Sequence, residues 1–296
     1  MSENLDTILQ IAGSTLRLAT PLLFAALGGL ISERAGVVNI ALEGLMLVGA
    51  FVAAAVAYAT HSPVAGAGAA MLAGGLFASF YALFVVKLRA DQIVAGTAIN
   101  MLAAGVTPFL CKIFFQSTSS SAALPMDSRF VSAPLYGAWI FVIAVAFGLG
   151  FTPWGAWVRF AGEHPEALDS AGVRVNRVRW MAVILSGFLA GLGGATLSIF
   201  LSSSFSRNMT SGRGFMALAA LIFGKWRPWP TAFACLLFGL ADAFQIRLQG
   251  VVLWGSDPVP VQFIQILPYF VTILVLAGVM GGSRAPKALG QPFLKH

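Results

Sequence analysis

Apolar runs of about twenty residues recur along the chain, each long enough to cross a hydrocarbon core of about 30 Å, and short polar breaks separate them. The first run, residues 14–31, carries Arg17 near its start and Pro21 in its first turns, and ISERAG closes it with Glu33 and Arg34. Residues 37–58 form a second run, with Asn39 and Glu43 one helical turn apart on one face. A third, residues 64–86, ends at Lys87, Arg89 and Asp91. In the fourth, residues 92–115, Thr97, Asn100 and Thr107 keep helical spacing as a thin polar stripe, and Pro108 predicts a kink or an end.

Residues 116–134 are rich in Ser and Pro, as an external loop would be. Runs five and six, residues 135–153 and 180–201, flank a hydrophilic island, and residues 202–214 make an outer connection. Residues 215–224 are apolar but too short to cross, so they predict a half-span or re-entrant helix ending at Lys225, Trp226 and Arg227. Residues 231–246 follow, with Asp242, Gln245 and Gln249 on one face, then residues 261–280, opening with Gln262 and Gln265, and the basic tail SRAPKALGQPFLKH. The pattern predicts an all-α, polytopic membrane protein of about nine transmembrane helices, roughly eight or ten if one segment is weak or re-entrant. One transmembrane domain, residues 1–296, accounts for the whole chain.

The island, residues 159–179 (RFAGEHPEALDSAGVRVNRVR), concentrates charge at Arg159, Glu163, Glu166, Asp169, Arg174, Arg177 and Arg179. Pro165 predicts the first position of a short helix, with Glu163 or His164 as its cap, Glu166 and Asp169 near its positive end, and Gly172 to stop it. The four arginines place the island on the cytoplasmic side by the bias of short basic loops, which gives an outside N-terminus and an inside C-terminus. A short helix here serves either as a docking site or as a capped turn that fixes orientation.

Composition agrees with the pattern. The chain is 58% hydrophobic and only 10% charged, which leaves too little polar surface to cover a soluble globule. Its net charge of +7 sits at span ends and in short loops, so positive-inside topology explains it better than nucleic acid does. Glu3 and Asp6, with no Lys or Arg among the first thirteen residues, argue against a cleavable signal peptide. Cys111 and Cys235 both lie in apolar runs and imply neither a disulfide nor a metal framework.

The chemistry available is narrow. A phosphate-cradling loop would need G-x-x-x-x-G-K-[ST], but Ala219 stands at the first glycine position before Gly224-Lys225, and Trp226 follows the lysine. No G-x-S-x-G or H-E-x-x-H is present, and His61, His164 and His296 are scattered, so neither an enzyme nor a metal or cofactor site is expected. What remains is polarity inside spans, where a charge costs roughly 2.5 to 3.5 kcal/mol to insert. Asn39, Glu43, Asn100, Asp242 and Gln245 either line a path for a polar solute or act as structural glue, for instance Glu43 on a backbone amide and Asp242 on Arg247. Gly187 and Gly191 make a G-x-x-x-G step, with Gly194 and Ala195 beside it, that predicts close helix packing.

Two stretches, SERAGVVNIALEGLMLVGAF (residues 32–51) and GRGFMALAALIFGKWRPW (residues 212–229), resemble the permease subunits of ATP-binding-cassette importers for ribose, branched-chain amino acids and nucleosides. The ERAGVVNIALEG wording is closest to the nucleoside or simple-sugar branch, and the AGEHPEALDSAG island and ALGQPF tail fit as well. The resemblance implies a bacterial inner-membrane subunit that works with separate ATPase subunits, a second permease subunit in a heterodimer, and an extracytoplasmic substrate-binding protein. It makes Glu163, His164, Pro165, Glu166, Ala167 and Gly172 the positions that couple to the ATPase, while Leu168 and Asp169 depart from the family pattern. A nucleoside is the substrate implied first, with simple sugars, riboflavin-like molecules or branched-chain amino acids after it. An ion-coupled secondary transporter is the reading from another class, and it gives Glu43 or Asp242 a proton-coupling role. A membrane scaffold without transport is a third.

Overall fold

The structure is a computed structural model that describes residues 2–248, 266 and 285–293. The run at 261–280 with Gln262 and Gln265, together with Gln249, Arg284, Lys295 and His296, lies outside the described residues. Helix α1 is Ser2–Arg34, α2 Leu42–Thr60, α3 Pro63–Ala82 with a π-helical continuation Leu83–Lys87, and α4 Gln92–Phe115. Helix α5 is Ala133–Phe151, α6 Pro153–Glu163, α7 Pro165–Ser170, α8 Val175–Thr196 with a π-helical continuation Leu197–Leu201, α9 Arg213–Phe223, and α10 Pro228–Leu248. Seven of these segments are long and apolar enough to cross a membrane, and α9, at 11 residues, is not. At 1.5 Å per residue α9 spans roughly 16 Å, about half a bilayer core, as its sequence predicts.

Local signals set several helix starts. Asp91 accepts the N–H groups of Ile93 and Val94, both at 2.9 Å, to open α4, and Thr152 accepts the Gly155 N–H at 3.0 Å to open α6 behind Pro153. Pro108 does not end α4, which continues to Phe115 and stops where Gln116 turns to φ 56°. The second span starts later than its hydropathy predicts: residues 35–41 are non-helical and α2 begins at Leu42.

Helix α8 is the centre of the bundle and packs on α1, α2 and α3. The apolar stretches of α1 and α8 are 78% buried, against 22% for α4 and α5, which face outward. Glycine makes the centre possible. A Cβ at Gly191 would fall on the Ala70 carbonyl, one at Gly187 on Ala78, and one at Gly194 on the Met46 carbonyl. Backbones therefore meet directly, the mode that drives helix association where lipid removes the hydrophobic difference. The predicted G-x-x-x-G step is this surface.

Two segments read as external meet at one end of the bundle. Ser121 N–H donates to Phe205 O at 3.0 Å, Arg207 N–H to Ser119 O at 2.7 Å, and Phe130 N–H to Ile199 O at 2.9 Å. The tail meets the island elsewhere, through Ala288 N–H on Gly162 O at 2.8 Å, and the connection between α1 and α2, through Gly290 N–H on Gly36 O at 3.1 Å.

Candidate translocation and coupling sites

The non-helical segment between α1 and α2 exposes backbone groups that no helix can satisfy, and side chains, most of them distant in sequence, take them up. Gln92 Oε1 accepts the Val38 N–H at 2.8 Å, the Tyr81 hydroxyl donates to Val38 O, and Ser32 Oγ donates to Val37 O at 2.8 Å. Asn100 does double duty: its Nδ2 donates to Ile40 O at 2.9 Å and its Oδ1 accepts the Gly44 N–H at 2.8 Å. Irregular backbone inside a membrane protein is tolerated only where protein groups cover it or a cavity adjoins it.

Three of the five predicted path residues converge on this segment. Asn39 is fully buried, donates from Nδ2 to Ser186 Oγ at 2.7 Å, and leaves its Oδ1 without a partner among the described residues. Glu43 sits half-buried at the start of α2, and its two carboxylate oxygens accept the N–H groups of Gly212 at 2.8 Å and Gly214 at 2.7 Å. The carboxylate thus caps the positive end of α9, so the backbone-amide alternative for Glu43 is the geometry found. Asn100 is half-buried beside it.

Asp242 and Gln245 lie one turn apart and half-buried on α10. Arg213, at the start of α9, lies within electrostatic reach of Asp242. Because α9 packs on both α2 and α10, its N-terminus is the junction that brings Glu43 and Asp242 into one neighbourhood.

Sequence reading passed over Glu33 as part of a polar break. It is 3% exposed, and its carboxylate accepts the indole N–H of Trp226 at 2.6 Å. The signal that could have found it is the pairing of the two stretches behind the family resemblance, residues 32–51 and 212–229. They touch at two places, through Glu33 with Trp226 and Glu43 with Gly212 and Gly214.

The island divides into the end of α6, the separate helix α7, a turn, and the start of α8. Residues 159–163 and 175–179 are therefore helical, and only residues between them form the connection. Pro165 opens α7 as predicted, while His164 is the N-cap by position without a side-chain cap bond. Gly172, at φ 84°, ends the segment, with its N–H donating to Asp169 O at 2.9 Å. Glu163, His164, Pro165, Glu166 and Ala167 line a cleft of about 350 Å³ whose far wall is Lys287, Ala288 and Gln291 of the tail. Arg179 is not a solvated island charge: it is 2% exposed and donates to Gln291 O at 2.7 Å and Ala161 O at 3.1 Å, pinning the tail beneath α6.

The chain is 38% identical over 96% of its length, and 96% of the relative's, to the guanosine ABC transporter permease protein NupQ of Bacillus subtilis. It is 36% identical over 98% of both chains to the nucleoside ABC transporter permease protein NupC of Lactococcus lactis. The L-arabinose ABC transporter permease protein AraH of Azospirillum brasilense is 22% identical over 83% of this chain and 70% of its own. Residues 11–276 match the family described as branched-chain amino acid transport system / permease component. This chain is a multi-pass membrane transport protein and belongs to that permease family.

Proposed function

We propose that the chain is the path-forming subunit of an importer that carries a nucleoside across the plasma (inner) membrane. The observation that carries this reading is the near full-length identity of 38% and 36% to permeases for guanosine and nucleosides. An extracytoplasmic binding protein delivers the solute, a second permease subunit completes the path as a heterodimer, and separate ATPase subunits supply the energy. Helix α7 and its flanks, with Glu163, His164, Pro165, Glu166, Ala167 and Gly172, dock on the ATPase. ATP binding favours one of two arrangements of the bundle, and the docked helix transmits that preference to the spans.

The path runs beside the junction of α2, α9 and α10, and in this reading Asn39, Glu43, Asn100, Asp242 and Gln245 line it. In this reading Glu43 and Asn100 hold the irregular segment and the start of α9 in place, and Asp242 and Gln245 offer polar groups to the passing solute. The test is uptake of labelled guanosine in cells without their own nucleoside uptake. Uptake is expected only when this chain, its partner permease, the ATPase and the binding protein are expressed together. Gradient-driven uptake by the purified chain alone would overturn the importer reading, and competition by arabinose or glucose but not by nucleosides would overturn the substrate.

A further inference from the structure

Away from the path, a cleft of about 520 Å³ opens where the start of α6 meets the turn before α8, walled by Trp154, Trp157, Arg174, Arg177, Val178 and Met181. No carboxylate is among its walls within the described residues, and both arginines are exposed. Arg174, Arg177, Val178 and Met181 recur at helical spacing, so one face passes from two guanidiniums to a thioether over roughly 10 Å. Met181 is 47% exposed and Trp157 42%, although both are apolar.

That order of chemistry matches a phospholipid read from headgroup to acyl chain. Tryptophan at such a level is the ordinary residue of a membrane–water interface, with its ring against the chains and its N–H toward the headgroups. Positive-inside bias alone would be met by lysine. Two guanidiniums on adjacent turns instead present paired donors suited to a phosphate's oxygens. Helix α6 leaves the outward-facing α5 at Thr152, which places the mouth of the cleft at a membrane surface.

We propose that this cleft binds an anionic phospholipid, its phosphate on Arg174 and Arg177 and its glycerol region between Trp154 and Trp157. Full-length protein in neutral detergent is delipidated and titrated with phosphatidylglycerol or phosphatidylcholine, and bound lipid is counted by native mass spectrometry. Wild type is expected to retain phosphatidylglycerol preferentially. The double variant Arg174→Gln, Arg177→Gln is expected to bind it on the order of tenfold more weakly. Arg129→Gln, in the connection between α4 and α5, is expected to match wild type.

Equal retention of the two lipids by wild type, or an unchanged double variant, overturns the proposal. Inorganic phosphate and glycerophosphoglycerol serve as competitors: displacement by inorganic phosphate at concentrations equal to the lipid's reassigns the cleft to a free anion and overturns the lipid assignment. Should the double variant fail to fold, Trp157→Ala in its place must reduce phosphatidylglycerol retention, and an unchanged value counts against the site.

Discussion

The carboxylate of Glu43 and the backbone N–H of Gly214 meet at 2.7 Å, across 171 residues of sequence, and with Gly212 they fasten the start of α2 to the start of α9. Hydrogen bonds to an ionised acceptor are stronger than neutral ones, and leaving the donors unmet adds a desolvation cost. Glu43→Ala is expected to destabilise the protein by on the order of 2 to 4 kcal/mol, and Glu43→Gln by less, since the amide keeps one acceptor oxygen. Thermal unfolding in detergent reads the difference, and an alanine variant as stable as wild type would remove the capping role.

Asn100 should behave as a dual partner. Asn100→Asp keeps an acceptor for Gly44 but loses the donor to Ile40, whereas Asn100→Ala loses both. Uptake should therefore fall in both variants, the aspartate one because its second carboxylate oxygen faces the Ile40 carbonyl, with the alanine variant still inserted in the membrane. Equal uptake by all three would return Asn100 to a packing role.

At the bundle centre the prediction is steric. Gly191→Ala and Gly194→Ala drive a methyl into the carbonyls of Ala70 and Met46, while among the described residues Gly105 and Gly148 have nothing within 4 Å of an added Cβ. The first pair should lower stability by about 1 to 3 kcal/mol or abolish assembly, and the second pair should be close to neutral. Size-exclusion profiles and melting curves of the four variants decide it, and tolerance of alanine at Gly194 would contradict the close approach.

For α7, proposed as the docking element, Glu166→Arg reverses a charge on the wall of the cleft, and Gly172→Pro removes the N–H given to Asp169 at a backbone φ of 84° that proline cannot adopt. Both are expected to leave ATP hydrolysis by the assembled complex in place and to cut uptake severalfold. Unchanged uptake in either variant would count against α7 as the docking element.

Arg179 carries the last prediction. Its guanidinium holds Gln291 O and Ala161 O in a buried site, so Arg179→Gln should release the tail and speed tryptic cleavage at the exposed Lys287. A cleavage rate equal to that of wild type would show that the backbone bonds from Ala288 and Gly290 suffice.

Much of this was legible from spacing alone. Hydropathy located the seven described spans, the short length of α9 marked it as partial, and Pro165 and Gly172 bounded α7. The unwinding of residues 35–41 was hidden because its supports, Gln92, Tyr81 and Asn100, lie 43 to 60 residues away, and local apolar character there reads as span. The same distance effect disguised Glu33 and Arg179. Charge next to a span end resembles a solvated break until the tertiary partner, Trp226 or the tail, is known. Asn39 and Glu43 look like one helical face, but the helix starts between them and they serve different neighbours.

Helices that interlock through long side chains must unthread those chains before either can slide. Along Gly187, Gly191 and Gly194 the face of α8 has little to unthread, because carbonyl and Cα lie against each other there, but the Phe188 ring between them is seated on Gly75 of α3. The Phe188 ring is therefore a latch set into an otherwise bare seam: a shift of α3 along α8 has that ring to turn, whereas the glycine positions on either side of it offer no side chain to move.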